Sequence, residues 1–201
     1  MKKVLALIIF LFSFSFLYAS DFFQLTFGAN ICFEKIDIKD TDTTKDIVKN
    51  LISVGLDMRM LFKYVQVGYV GNMSVIDKKT LLFNGLSYLG ASVQVFNRVD
   101  LGFALGPNMN YLIKDNGANK YVDGDGDTDS SIDNYFSALF QGNYSYRLTA
   151  EALISKVMKV GLAITIPTHF NLQTFRITKL WPESSDFKNI GISLSVQMRL
   201  I

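Results

Sequence analysis

From Ile190 to Leu200 the chain alternates without a break. Ile192, Leu194, Val196, Met198 and Leu200 fall on one side, and Gly191, Ser193, Ser195, Gln197 and Arg199 on the other. Side chains on a strand point to opposite faces with period two, so this pattern predicts a strand with one oily and one wet face. The same pattern recurs along the chain. Phe22 to Glu34 sets Phe23, Leu25, Phe27, Ala29, Ile31 and Phe33 against Gln24, Thr26, Gly28, Asn30 and Cys32. A second strand carries Ile52, Val54, Leu56, Met58 and Met60 outward, with Ser53, Gly55, Asp57 and Arg59 inward, and a third runs from Tyr64 to Val75. A fourth ends at Val95, and a fifth from Val99 to Ile113 places Met109, Tyr111 and Ile113 on its apolar side. Pro107 interrupts that side and lacks a ladder donor, so a bulge or strand end is expected there. A sixth strand is expected from about Phe136 to Ile154 and a seventh from Met158 to Phe170.

The connections between these eight strands read long, short, medium, short, long, short, long. The strands that follow the short turns begin alike: Val65-Gln66-Val67-Gly68, Val99-Asp100-Leu101-Gly102 and Met158-Lys159-Val160-Gly161 share an apolar-polar-apolar-Gly spacing, which reads as a hairpin repeat. A C-terminal strand of about 9 to 11 residues is the length that crosses a hydrocarbon layer at a tilt, and pairing with the first strand would close a barrel. The expected fold is therefore all-β, a single up-and-down antiparallel transmembrane β-barrel of eight strands.

The N-terminus changes the compartment. Met1-Lys2-Lys3, an apolar run from Val4 to Leu17 and Tyr18-Ala19-Ser20-Asp21 have the three regions of a secretory signal peptide. Residues 1–19 are expected to be removed on export, leaving 20–201 as the barrel domain. Without Lys2 and Lys3 the chain carries 18 basic and 18 acidic residues, so no excess of positive charge points to nucleic acid. Cys32 is the single cysteine, which excludes an intramolecular disulfide.

Leader, eight alternating strands and this loop order resemble the small eight-stranded outer-membrane barrels of the OmpX, OmpW and OmpA membrane-domain type, over the whole exported chain. Such proteins usually end in an aromatic residue, whereas this chain ends Arg199-Leu200-Ile201. The resemblance implies the outer membrane of a diderm bacterium, outer-membrane lipid around the wall, tight periplasmic turns and longer outward loops. The rival is a secreted lipocalin-like barrel with its apolar face inward. The small polar groups of the wet faces and the aromatics at strand ends, Phe33, Phe62, Tyr111, Phe136 and Phe170, favour an inside-out barrel with interfacial girdles.

Three groups of residues carry candidate chemistry. Asp57, Arg59, Asp100, Arg147, Glu151, Lys159 and Arg199 stand on inward faces, and an eight-stranded interior has room only for packed side chains, so they are expected to form a lumen charge network. Asp123, Asp125, Asp127 and Asp129 alternate in a Gly-rich loop and can converge on a hard cation; this is the one possible ligand, a weak Ca2+ with dissociation near ~0.1 to 1 mM, and no other cofactor is expected. His169 is the single histidine, but a hydrolase needs a nucleophile within its reach, and the position two residues on, where lipid-A-deacylating barrels place Ser, is Asn171. The expected role is thus non-enzymatic, in envelope structure or surface contact through loops 35–49, 114–134 and 171–188, with a narrow OmpW-like conduit for small or hydrophobic solutes as the alternative.

Overall fold

In the computed structural model the described residues are 23–38, 47–95, 98–115, 119–122, 127–129, 132, 135–183, 186 and 189–200. The leader and most of the acidic run lie outside them. The strands are β1 (Phe23–Ile38), β2 (Ile47–Phe62), β3 (Val65–Asp77), β4 (Thr80–Val95), β5 (Val99–Lys114), β6 (Asn119–Val122), β7 (Thr128–Asp129), β8 (Tyr144–Ser155), β9 (Met158–Pro167) and β10 (Gly191–Arg199). Eight of them close a barrel. The sheet runs β4-β3-β2-β1-β10-β9-β8-β5, and a β4–β5 ladder joins its ends, so each strand neighbours its sequence neighbour in the wall, all antiparallel. β10 pairs with β1 from Thr26↔Arg199 to Glu34↔Gly191, the closure expected of the C-terminal strand.

The alternation sets which face goes where. Phe27, Ile31, Ile52, Val54, Leu101, Phe103, Leu194 and Val196 are exposed on the outside, while Gln24, Thr26, Asn30, Ser53, Asp57, Ser193 and Gln197 are buried inside. This is opposite to a lipocalin-like barrel, whose apolar face lines the interior. Outward positions carry no charged residue between Phe23 and Phe33, Ile52 and Phe62, Val65 and Val75, Leu81 and Val95, Val99 and Ile113, Tyr146 and Ile154, Met158 and Ile166, or Ile192 and Met198.

One end is made of tight turns. Phe62 joins Val65 through Lys63 and Tyr64, and Lys63 takes φ 57°, the left-handed geometry that such a turn demands. β8 joins β9 through Lys156 and Val157. At the opposite end the β3–β4 link is also tight, with Asp77↔Thr80 the last pair, shorter than its polar sequence suggested. The β1–β2 ladder runs on to Ile38↔Ile47, so residues 35–38 and 47–49 of the loop expected at 35–49 are strand.

The sixth and seventh strands are shorter than their pattern predicted. Tyr135–Gln141 is a helix, α1, and β8 starts only at Tyr144. Ala138 is fully buried, while Phe136 and Phe140 are 71% and 54% exposed, so the residues two apart face opposite ways, as on a helix. β9 stops at Pro167. Thr168 and Phe170 stay beside Tyr144 through irregular pairing: Thr168 N and Oγ1 each donate to Tyr144 O at 2.8 Å, and Tyr144 N donates to Phe170 O at 2.8 Å. Phe170 is buried against Tyr144 and Phe175, at centroid distances of 5.4 and 5.9 Å, and takes no place in an outer girdle.

Pro107 marks a handover in the wall. The β5–β8 ladder ends at Pro107↔Tyr144, and above it β5 pairs with β6 from Tyr111↔Tyr121 to Ile113↔Asn119. β6 thus takes the place of β8 beside the upper part of β5, with Val122 in the lumen cluster and Tyr121 on the Met109 side. Met109, expected on a bare apolar face, is covered there by Tyr121, Ile132 and Ala138, with Tyr69 and Tyr111 packed alongside.

Candidate functional site

The lumen is built from the inward residue of every second position, and it is layered. Nearest the tight turns lie two ion pairs, Arg59 with Glu151 and Lys159 with Asp100, every side chain at most 4% exposed. Gln24 Oε1 also accepts from Lys159 Nζ at 3.1 Å, and Gln197 Nε2 donates to Glu151 Oε1 at 3.4 Å. Above them Arg147 Nη2 donates to Asp57 Oδ2 at 2.8 Å, and the guanidinium lies over the Tyr88 ring at 5.6 Å. Burying a charge is costly unless it is paired and hydrogen-bonded, and each of these six has an opposite partner at contact. Of the seven inward charges seen in the sequence, the structure brings six into three buried pairs. Arg199 is half-buried at the turn end of β10, outside those pairs.

The next layer is amide and hydroxyl. Asn30 Nδ2 donates to Asn72 Oδ1 at 3.0 Å, and Asn108 Nδ2 donates to Ser145 Oγ. Glu34 enters here from β1, accepting from Ser53 Oγ at 3.2 Å and from Asn84 Nδ2. Its even number on β1 places it on the face of Gln24, Thr26 and Asn30, although in sequence it borders the charged stretch that reads as a loop. Toward the loops the layer gives way to a buried aliphatic cluster of Ile38, Leu51, Ile76, Leu82, Leu112 and Val122.

Between these layers lies a cavity of about 80 Å³, open on one side. Glu34, Asn72, Asn84, Asn108, Asn110 and Arg147 line its polar side, and Ile38, Val70, Leu82, Leu86 and Val122 its apolar side. Its lining reaches Thr165, Pro167, Asn189 and Gly191, where the wall is low: β8, β9 and β10 end there, while β1 and β5 rise further.

The other described candidates do not line this cavity. His169 Nε2 stands 2.9 Å from Asp186 Oδ1, and Asp186 Oδ2 accepts from Glu183 N at 2.5 Å, so the histidine is tied into the fold of its own loop. Asn171 Oδ1 accepts from Thr174 N and Oγ1, both at 2.9 Å, which closes a turn and holds no reacting atom. In the same loop the exposed Lys179 ammonium donates to Glu183 and holds that carboxyl below the usual range. Asp123 and Asp125 lie outside the described residues. Asp127 is exposed, and Asp129 pairs through its backbone with Tyr121. Among the described residues no group of three or more His, Cys, Asp or Glu is placed to hold a metal.

No protein-family model matches the sequence, and no curated protein matches it. Among solved structures the chain is similar to the crystal structure of Neisserial surface protein A (NspA), at 9% identity, covering 89% of this chain and 96% of that one with a TM-score of 0.46. The eight-stranded closure of this chain is set by its own ladders, and by them it has the architecture of the small up-and-down β-barrels.

Proposed function

We propose that this chain is a non-enzymatic outer-membrane protein, a sealed barrel that presents its long loops for contact at the cell surface. The observation that carries the reading is the outer wall. A closed barrel has no unpaired edge, so it satisfies its backbone inside a hydrocarbon layer. Water would leave the apolar groups of its eight charge-free strand faces uncovered, far beyond the patch size soluble monomers expose. Lipid covers them. The β6, β7 and α1 segment and the 168–190 loop, at the end opposite the tight turns of Lys63 and Lys156, are the surfaces a rigid scaffold would offer to partners.

The ion-pair layers favour a sealed barrel over the conduit. The cavity occupies the loop half, and below it Arg59, Glu151, Lys159 and Asp100 are buried and paired across the lumen. Fractionation of the expressing cell, followed by single-channel recording of the refolded protein in planar bilayers, tests both parts. The protein is expected in urea-washed outer membranes and silent between −100 and +100 mV, on the order of a resting potential. Recovery in the soluble periplasm would overturn the membrane reading, and discrete solute-dependent openings would replace the sealed barrel with the conduit.

A further inference from the structure

The six fully buried lumen charges cancel in pairs, and Glu34 is a further buried charge on their loop side. It is 8% exposed, and the groups that meet its carboxylate are Ser53 and Asn84, both neutral. No cationic side chain is paired with it among the described residues. A buried carboxylate with only neutral donors is far costlier than one facing a cation. Glu34 also lines the cavity, together with Arg147, whose charge is met by Asp57, and Lys35, which is exposed, so a counter-charge for its carboxylate has a place to sit.

We infer that the loop-half cavity is a binding site for a small organic cation, a primary ammonium on a short aliphatic chain, anchored by Glu34. An ammonium has three donors and no acceptor, and it pairs best with ionised oxygen at about 2.7 to 2.9 Å. Each Glu34 oxygen already accepts one neutral hydrogen bond and keeps capacity for another. A further acceptor is at hand: Asn110 Oδ1 is buried in the cavity wall with no hydrogen-bond partner among the described residues. The chain of such a ligand would lie against Ile38, Leu82 and Val122, the part of the aliphatic cluster that borders the cavity. An inorganic cation would leave that wall unused, and an uncharged alcohol would leave Glu34 without its counter-charge. Binding is by contact alone, with no covalent step.

The inference rests on the barrel being inserted in a bilayer, and its test separates the two. Methyl-labelled protein in zwitterionic nanodiscs is titrated with n-butylammonium chloride, with n-butanol and potassium chloride as comparators, while the Ile38, Leu82 and Val122 methyl resonances are followed. Saturable shifts are expected with butylammonium, at least tenfold tighter than with butanol and absent with potassium. Glu34→Gln, which keeps the Ser53 contact, should weaken butylammonium at least tenfold, and Asn110→Asp should tighten it. Equal affinity in Glu34→Gln, equal binding of butanol, or the same shifts from potassium would overturn the proposal. Should Glu34→Gln fail to refold, Asn110→Asp decides: unchanged or weaker binding overturns it. A chain that does not insert contradicts the membrane reading, whereas an inserted barrel with unmoved methyls contradicts this inference alone.

Discussion

Arg147 on β8 and Asp57 on β2 stand on diametrically opposite strands of the barrel, yet Arg147 Nη2 and Asp57 Oδ2 meet at 2.8 Å with both side chains 2% exposed. Arg59 and Glu151 join the same two strands one layer nearer the turns. Neither contact is available from neighbouring strands in the ladder. These two cross-braces tie opposite walls together through the lumen, so the packing of the interior and the closure of the wall support one another.

Breaking one brace should therefore cost more than removing it whole. Asp57→Asn leaves the Arg147 guanidinium buried with a neutral partner and is expected to destabilise by about 3 to 5 kcal/mol. Asp57→Leu combined with Arg147→Met should recover most of that loss, because neither charge is then stranded. Guanidinium unfolding of micelle-refolded protein measures both; additive losses in the double variant would show that the pair is not a unit.

The wall predicts a depth dependence. Val196 is 53% exposed near the middle of β10, and Val157 is 56% exposed in the β8–β9 turn. In water, Arg at either site would be tolerated alike. In a bilayer Val196→Arg should cost roughly 2 to 4 kcal/mol and Val157→Arg about 0 to 1. Equal costs would place both residues in one solvent.

Gly68 on β3 makes room for Tyr88 on β4. A Cβ at Gly68 would lie 2.3 Å from Tyr88 Cζ and Oη, and it is this ring that Arg147 covers. Gly68→Val is expected to displace the ring and lose about 1 to 3 kcal/mol. Adding Tyr88→Leu should return part of the loss, since the two side chains share one space. Independent effects would mean that the ring has another way to move.

The strands were legible because period two is a strong signal when one face meets lipid and the other a packed lumen. Where the pattern misled, a second period fitted the same residues. Phe136 and Phe140 are four apart, a spacing that a strand and a helix share, and only the burial of Ala138 between them distinguishes the two. Periodicity also assigns a face without saying what covers it, so Met109 read as bare wall although β6 and α1 lie over it. Glu34 stands next to Lys35 before a charged stretch and resembles the start of a loop, but the β1–β2 ladder runs four residues beyond it and turns its side chain inward. The pairing partners of the lumen charges are set by the strand order and stagger of the barrel, which bring together side chains 59 to 92 positions apart.

Spin labels along β10 show directly whether the apolar side of this barrel faces lipid. In a Cys32→Ser background, nitroxides at successive positions from Ile192 to Met198 in nanodiscs report collisions with oxygen, which concentrates in the bilayer, and with a water-soluble nickel chelate. Labels at Ile192, Leu194, Val196 and Met198 should favour oxygen, most strongly at Leu194 and Val196, while those at Ser193, Ser195 and Gln197 should be shielded from both reagents by the packed lumen. An aqueous chelate that reaches Leu194 and Val196 as readily as oxygen does would place the apolar face in water and contradict insertion in the bilayer.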